Sequence, residues 1–196
     1  MTKSTIPLEA LFEQFVDWRD ERALAVSFIK YPDKPVLDVG TGSCSCIANS
    51  LAKGGYSVVA SDNDRRAIRN AHRFVAGNTH RSRIKLINDD ITASHLETAS
   101  FLNVVCFNVL HHVADLAGAF AELHRILSWR GRLIISEYDE DGTGFLRNLE
   151  SEAHRRFVHV TRYVRPLERL LLVCEKSAAC QPGPQGMKSG AGKKTA

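Results

Sequence analysis

The segment VLDVGTG, from Val36 to Gly42, constrains the fold of this chain more than any other feature. It is typical of a short buried strand that runs into a glycine turn, with the carboxylate of Asp38 just before the turn. About twenty residues later, the apolar run over 57–60 ends in Ser61 and Asp62. A strand, a glycine-rich turn, a helix and a second strand that ends in an acid predict half of a nucleotide-binding α/β fold.

Strands and helices continue to alternate along the chain, which predicts a doubly wound, mostly parallel sheet of an α/β fold. We expect strands over 35–39, 56–61, 84–88, 101–108 and 133–137, the last after a turn over 130–132. We expect helices over 8–28, 44–54, 64–76 and 115–127, with Asp64 and Asp115 as N-caps.

The end of the chain has a different pattern. A helix is predicted over 144–154, and residues 157–163 then alternate as a half-exposed strand does. A turn over 165–168 would lead back into a strand over 169–175, which adds an antiparallel pair and makes seven strands. An alternative interpretation continues the helix through Val160.

Length and composition indicate one domain. The 196 residues suit a single domain, and no apolar run approaches the roughly 20 residues that span a membrane. The N-terminus lacks the apolar core of a signal peptide, so we expect a cytoplasmic protein. The five cysteines are therefore expected to be reduced thiols, and the spacing of Cys44 and Cys46 is too short for a typical zinc pair, so no metal site is expected.

The formal charge of +4 does not indicate a nucleic-acid partner. Lys188, Lys193 and Lys194 in the C-terminal tail account for most of it. One basic cluster, Arg147 to Arg169, is the only feature that we weigh in favour of a polyanionic substrate, and a solvated face is the alternative.

Three aspartates indicate a cationic ligand. A dinucleotide would place its pyrophosphate at the glycine turn, where Asp38 would repel it but attract an amine or a sulfonium. Asp62 can accept hydrogen bonds from ribose hydroxyls, and Asp90, after the third strand, can accept from the exocyclic amine of adenine. Alternatively, Asp38 caps the next helix, and Asp89 and Asp90 are turn residues.

Four blocks carry a resemblance to a known family: VLDVGTGS at 36–43, VVASDND at 58–64, INDDI at 87–91 and VVCFNVLHHV at 104–113. In this order and spacing the chain resembles class I S-adenosylmethionine-dependent methyltransferases, of the small-molecule subgroup that includes quinone-biosynthesis enzymes. The resemblance covers about 35–137 and implies a Rossmann-like methyltransferase fold. The chain departs from the family at Cys44, where a third glycine is usual, and at Asn103, where aspartate is common.

The resemblance implies how the chain would hold the cofactor, S-adenosyl-L-methionine. Gly40 and Gly42 would lie against the methionine part, with Asp38 near its amino group, and Asp62 would hold the ribose.

The same resemblance implies the remaining contacts. Asn63 would lie beside the adenine, and Asp90 and Ile91 would contact its ring. Asn108, at the end of the fourth strand, would face the methyl-donor pocket.

The acceptor is expected on the other side of that pocket, where a nucleophilic atom of a small molecule would receive the methyl group. His111 and His112 would begin its wall. By its reference pKa, a histidine is the best candidate for a base that removes the acceptor's proton, and Tyr138 is the next. For either histidine, a packing role is the alternative.

Three other functions remain open. A nicotinamide-dependent oxidoreductase would need Gly-x-Gly-x-x-Gly, but Ser45 stands at the last position. A methyltransferase-like fold without catalysis could act as a binding module. An RNA or protein methyltransferase would often carry Asn-Pro-Pro-aromatic, whereas Val109 follows Asn108 here.

The resemblance also divides the chain. We expect one domain over 1–176, made of an N-terminal helical cap (1–33), a cofactor-binding core (34–137) and an acceptor-side region with the final strands (138–176). Residues 177–196 have too little apolar surface to fold and are expected to be disordered.

Overall fold

The fold centres on one seven-stranded sheet whose strand order is β3-β2-β1-β4-β5-β7-β6. It is described by a computed structural model for residues 23, 25–138, 144–165 and 169–177. The strands are β1 (Val36–Val39), β2 (Val58–Asp62), β3 (Ile84–Asn88), β4 (Phe101–Phe107), β5 (Leu127–Tyr138), β6 (His159–Arg165) and β7 (Arg169–Glu175). The first five strands are parallel, whereas β7 pairs antiparallel with both β5 and β6.

Helices cover both faces of this sheet. They are α1 (Cys46–Lys53), α2 (Arg65–Ala76), α3 (Leu116–Ile126) and α4 (Phe145–Arg156), with short 3-10 helices at Arg81–Arg83 and Leu110–His112. The apolar side chains of α3 and α4 join one buried cluster, and those of α1 join a second cluster on the opposite face. The central strands are therefore covered on both sides, as their unbroken apolar runs require.

The strand order reverses between β1 and β4, because β2 and β3 follow on one side of β1 and β4 lies on the other. In doubly wound sheets the connections diverge at such a point and leave a crevice beyond the carboxyl ends of the strands. The glycine turn after β1 lies at this crevice.

The predicted fold class, a seven-stranded and mostly parallel α/β sheet, is confirmed. Local rules also located two helix starts correctly. Asp64 accepts a hydrogen bond from the backbone N–H of Arg66 at 2.7 Å, and Asp115 accepts one from Gly118 at 2.9 Å. Each carboxylate satisfies one of the amides that a helix leaves free at its N-terminus.

Two predictions near the end of the chain are wrong. The sequence predicts a turn over 130–132 and a strand that begins at 133, but β5 begins earlier, at Leu127. Its register with β4 shifts between the pairs Phe101–Leu127 and Asn103–Arg132, so the strand is irregular where the turn is predicted. Arg130 takes a left-handed backbone (φ 63°) there, and its N–H donates to the carbonyl of Lys176. The alternative helix through Val160 is also wrong, because β6 begins at His159 and pairs with β7.

The cysteines are in two different states. The structure joins Cys44 and Cys46 in a disulfide, so the prediction of reduced thiols is wrong for this pair. Cys106 and Cys174 are free and buried, as predicted. Cys44 is exposed and does not line the crevice.

Some predictions fall outside the described residues. These include most of the helix over 8–28, of which residues 23 and 25–27 are helical, and the tail beyond Ser177. Within the described part of the chain, no helix is both long and apolar enough to cross a membrane. The same residues contain no group of three or more side chains that could hold a metal ion.

Candidate functional site

A cavity of about 560 Å³ lies at the carboxyl ends of β1, β2 and β4, where the strand order reverses. Its wall contains seven of the eight residues predicted to bind the cofactor. These are Gly40, Gly42, Asp62, Asn63, Asp90, Ile91 and Asn108. Strands from distant parts of the sequence bring these residues together because parallel strands end at the same edge of a sheet.

The two glycines of the turn after β1 have different reasons to be glycine. Both have a left-handed backbone, with φ of 72° at Gly40 and 63° at Gly42. A Cβ atom on Gly40 would lie 2.0 Å from Cγ2 of Val109, so the loops after β1 and β4 touch only because Gly40 has no side chain. A Cβ on Gly42 would meet nothing within 4 Å. Gly42 therefore leaves open space at the cavity wall.

Asp62 is held rigidly at the end of β2. Its Oδ2 accepts a hydrogen bond from the N–H of Gly42 at 2.8 Å, and its Oδ1 accepts one from Asp64 at 2.9 Å. Each carboxylate oxygen keeps a further lone pair, so the side chain can still accept two hydrogen bonds from vicinal hydroxyls. Asn88 holds the same strand end by donating to the carbonyls of Asp62 and Asn63 at 2.8 and 3.0 Å.

The two aspartates after β3 have separate tasks. Asp90 Oδ1 accepts from the N–H and the hydroxyl of Thr92, at 2.9 and 2.8 Å, and these bonds lower the pKa of Asp90 below its usual value. Asp89 instead accepts from the hydroxyl of Ser94 at 2.5 Å and from the N–H of His95 at 3.0 Å. Asp89 therefore organises the loop, and Asp90 presents an ionised carboxylate to the cavity.

Asn108 leaves an acceptor unused. It has a left-handed backbone, with φ of 51°, and its N–H donates to the carbonyl of Ser136 at 2.8 Å. Its side-chain oxygen is buried and has no hydrogen-bond partner among the described residues. A buried carbonyl at the cavity wall without a partner favours a donor group on a ligand.

The charge of the cavity has one sign. Asp62, Asp89, Asp90 and Asp115 contribute to the wall, and among the residues that the structure describes no lysine or arginine does. A ligand with an ammonium and a sulfonium group is attracted to such a wall, whereas a pyrophosphate is repelled. The residues present therefore fit a cationic adenosine derivative and not a dinucleotide.

Asp38 differs from the other predicted cofactor residues because it does not line the cavity. It is 1% exposed, and its Oδ2 atom has no hydrogen-bond partner among the described residues. Burial raises the pKa of Asp38 to about 7. Hydrogen bonding by the neighbouring Thr41 and Ala48 lowers the pKa, but by less than burial raises it. Its predicted position near the amino group of the cofactor stays a prediction.

The structure reveals a buried acid, the last residue of the predicted strand over 133–137, to which the sequence analysis assigns no role. Glu137, at the end of β5, is fully buried, and its Oε1 accepts from the N–H groups of Val109 and Leu110 at 2.7 and 2.6 Å. Its Oε2 lies 2.7 Å from Nδ1 of His111. Burial raises the pKa of Glu137, and the bond to His111 opposes that rise. The sequence signal that could have identified Glu137 is its position as an acid at the end of a strand, which it shares with Asp62.

The three predicted catalytic residues lie together beside Glu137. The ring of His111 is 3.9 Å from the ring of His112 and 5.3 Å from the ring of Tyr138, between centroids. Phe145, from α4, completes the group at 6.4 Å from His111. His112 also lines the cavity, so this aromatic group borders the cofactor site directly.

The fold and the site define the class: a Rossmann-like α/β protein with an anionic cavity for a cationic adenosine derivative. The methyltransferase domain family matches residues 37–135, and the chain belongs to this family. Its cofactor is accordingly S-adenosylmethionine, as the sequence predicts. The small-molecule, quinone-biosynthesis-like subgroup stays a prediction.

Solved structures agree with this fold. A TehB-like S-adenosylmethionine-dependent methyltransferase from Corynebacterium glutamicum is 22% identical, with a TM-score of 0.64, and the match covers 86% of this chain and all of that one. A methyltransferase of the same cofactor class, described as putative, from Methanococcus maripaludis is 16% identical (TM-score 0.69), over 94% of this chain and all of that one. The [4+2]-cyclase SpnF is 12% identical (TM-score 0.64), over 74% of this chain and 75% of that one. No protein in the curated set matches the chain.

Proposed function

We propose that this methyltransferase transfers the methyl group of S-adenosylmethionine to a nucleophilic atom of a small-molecule acceptor. The observation that carries the proposal is the junction of an anionic cavity with a compact aromatic group containing His111, Tyr138 and Phe145. Such a group suits the apolar body of a small acceptor, with a few polar atoms to orient it.

The cofactor side would use the residues of the cavity wall. Asp62 would accept from the ribose hydroxyls, and Asp90 would accept from the adenine amine with Asn63 and Ile91 beside the ring. Gly40 and Gly42 would lie against the methionine part. Asn108 Oδ1, which lacks a partner among the described residues, would accept from a donor on the ligand.

Bound S-adenosylmethionine supplies a methyl group already activated on a sulfonium. The main contribution of the chain is therefore alignment, which can account for about 7–11 kcal/mol of a barrier. The close contact between the loops after β1 and β4, at Gly40 and Val109, fixes the cofactor wall relative to the acceptor wall.

Where the acceptor atom carries a proton, we propose His111 as the base. An ionised Glu137 accepts from Nδ1–H, which leaves Nε2 of His111 as the basic nitrogen. The negative charge of Glu137 also stabilises the imidazolium that forms. His112 and Tyr138 would shape the acceptor pocket next to His111, and Tyr138 is the second candidate for the base.

The contacts of the basic cluster from Arg147 to Arg169 argue against a polyanionic acceptor. Arg155 pairs with Glu152 and Arg162 with Glu150, at 3.6 and 3.2 Å. Arg169 is buried with its guanidinium over the ring of Tyr138. These arginines have partners within the chain, which favours a small acceptor over a nucleic acid at this end of the sheet.

A second candidate is a methyltransferase-like protein that binds the cofactor without methyl transfer. The fold alone does not require that reaction, since a [4+2]-cyclase has the same fold. The histidine held by a buried acid favours catalysis over this alternative.

Radiolabelled methyl transfer from S-adenosylmethionine into a cell extract tests the proposal. We expect label in the small-molecule fraction, lost in a His111→Ala variant and kept in a His154→Ala control on the exposed face of α4. Label in RNA or protein instead would overturn the small-molecule acceptor. Binding of S-adenosylhomocysteine with no label transferred in any fraction would favour the second candidate.

A further inference from the structure

One face of the molecule carries six exposed arginines at the β3 edge of the sheet. They are Arg65, Arg66, Arg69, Arg73, Arg81 and Arg83, and we refer to them as the arginine face. No acidic residue occurs between Arg65 and Asn88. The acids that flank this stretch are Asp64, which caps α2, and Asp89, which organises the loop after β3.

None of the six arginines forms an ion pair within the described residues. Three of them donate to uncharged oxygens: Arg65 to Asn88 Oδ1 at 3.3 Å, Arg81 to the carbonyl of Ala76 at 3.4 Å, and Arg83 to the carbonyl of Gly55 at 2.8 Å. The positive charge is therefore uncompensated, in contrast to Arg155 and Arg162, which pair with nearby glutamates.

The stability of α2 does not account for this arrangement. Arg65 and Arg66 occupy the first turn, where the N-cap Asp64 is the one adjacent acid among the described residues, although the helix dipole favours negative charge at that position. Arg66, Arg69 and Arg73 follow at spacings of three and four, so like charges lie next to each other on the helix surface. An anionic partner would relieve both kinds of repulsion.

Residue chemistry indicates what that partner is. The planar guanidinium fork of arginine binds phosphate through two hydrogen bonds, so six neighbouring arginines suit a partner that carries several phosphates. Phe74 lies within the same helix with 57% of its surface exposed, and an exposed aromatic ring can stack on a base.

A polar cleft of about 350 Å³ adjoins the arginine face. Asn49, Lys53, Asn78 and His80 contribute to its wall, between α1 and the loop that follows α2. Arg83 reaches the carbonyl of Gly55 just after α1, so this cleft and the arginine face share one side of the protein. The cleft offers hydrogen-bonding groups next to the phosphate-binding charges.

A membrane surface fits less well. The apolar side of α2, formed by Ala67, Ile68, Ala71 and Val75, is buried in the protein. The helix therefore has no apolar stripe to insert among lipids. We propose that the arginine face binds the phosphate backbone of single-stranded RNA.

This surface is separate from the proposed acceptor site. β3 is the edge strand at one end of the sheet, whereas Glu137 ends the more central β5. The inference goes beyond the proposed function and does not depend on it. It departs from the sequence-based expectation that nucleic acid is not a partner, which considers only the basic cluster from Arg147 to Arg169 and the lysines of the C-terminal tail.

The test compares two variants that lose the same charge. The first replaces three unpaired arginines (Arg66→Gln, Arg69→Gln, Arg73→Gln). The control replaces three cations that pair with acids (Lys34→Gln, Arg155→Gln, Arg162→Gln). Fluorescence anisotropy with a labelled 20-nucleotide RNA of mixed sequence gives the Kd from 50 to 300 mM salt.

We expect the wild-type Kd to rise steeply with salt. The first variant should bind RNA at least 10-fold more weakly, and its log–log salt slope should be smaller by about 2, since each lost phosphate contact contributes about 0.7. The control should change the Kd less than threefold. Unchanged binding of S-adenosylhomocysteine shows that each variant is folded.

Three results would overturn the proposal. They are no binding of RNA by the wild type at 50 mM salt, an equal loss in the control variant, and equally tight binding of polyglutamate or of anionic vesicles. If the wild type transfers methyl groups but does not bind RNA, this inference fails and the proposed function stands. If the wild type binds RNA but transfers no methyl group, the proposed function fails and this inference stands.

Discussion

The carboxylate of Glu137 lies 2.7 Å from the Nδ1 atom of His111. Glu137 lies at the end of β5, whereas His111 belongs to the 3-10 helix that follows β4. The other oxygen of Glu137 holds the backbone N–H groups of Val109 and Leu110. A single buried acid thus positions both the loop after β4 and the ring that we propose as the base.

Replacing Glu137 with Gln should separate these two tasks. The amide oxygen can keep both backbone bonds, but its NH2 group then faces Nδ1 of His111 and favours the other tautomer. We expect kcat to fall about 10- to 100-fold with little change in KM, because general-base catalysis contributes about 10²–10⁴-fold.

The control for this prediction is binding of S-adenosylhomocysteine by calorimetry, which should not change in Glu137→Gln. An unchanged kcat would limit Glu137 to holding the loop.

Replacing Asp62 with Asn should weaken cofactor binding. The variant loses the carboxylate that would accept hydrogen bonds from the ribose hydroxyls. The amide NH2 of the new side chain would also face the backbone N–H of Gly42 or of Asp64, which now donates to Asp62. Hydrogen bonds to charged groups contribute about 1.5–3 kcal/mol, so we expect the Kd of S-adenosylhomocysteine to rise about 10- to 100-fold. Asp64→Asn is the matched control, because asparagine caps a helix as well as aspartate does and Asp64 does not line the cavity. Equal affinities in the two variants would exclude the proposed contact.

Replacing Asp38 with Asn should stabilise the free protein in a pH-dependent manner. Burial raises the pKa of Asp38 from 3.8 to about 7, so the folded protein binds the proton more tightly than the unfolded chain does. The ionised carboxylate therefore costs stability as the pH rises toward 7, and the cost levels off above it.

We expect the advantage of Asp38→Asn in the free energy of unfolding to grow by about 3 kcal/mol between pH 5 and pH 8. Urea unfolding at both pH values measures it. The same variant should bind S-adenosylmethionine more weakly if Asp38 attracts the ammonium group. An advantage that is equal at both pH values would contradict the raised pKa.

Replacing Gly40 with Ala should destabilise the protein more than replacing Gly42. Both positions have a left-handed backbone, which costs an alanine about 1 kcal/mol. The new Cβ at Gly40 would also overlap Cγ2 of Val109, and overpacking adds about 1–3 kcal/mol. Chemical denaturation of the two variants gives the comparison. Equal losses would mean that the loop after β4 moves away freely.

Features that depend on neighbours in sequence could be predicted from the sequence. The caps at Asp64 and Asp115 follow from local hydrogen bonding, and the strand at Ile84–Asn88 follows from a short apolar run. The meeting of Asp62 and Asp90 at one cavity could also be predicted, because parallel strands end at the same edge.

Features that depend on distant partners could not be predicted. The early start of β5, at Leu127, depends on Arg130 and Gly131, which exchange backbone hydrogen bonds with Lys176, a residue distant in sequence.

The amino-acid sequence determined the doubly wound sheet, its glycine turn and the negative sign of the cavity, since periodicity, glycine placement and acids at strand ends are local properties. Only the tertiary structure decided that Glu137 is buried against His111 and that Asp38 is enclosed. It also decided that the arginines of α2 face solvent and form no ion pair with any other described residue. Burial and charge pairing are set by residues that lie far apart in the chain, and the folded arrangement alone brings them together or keeps them apart.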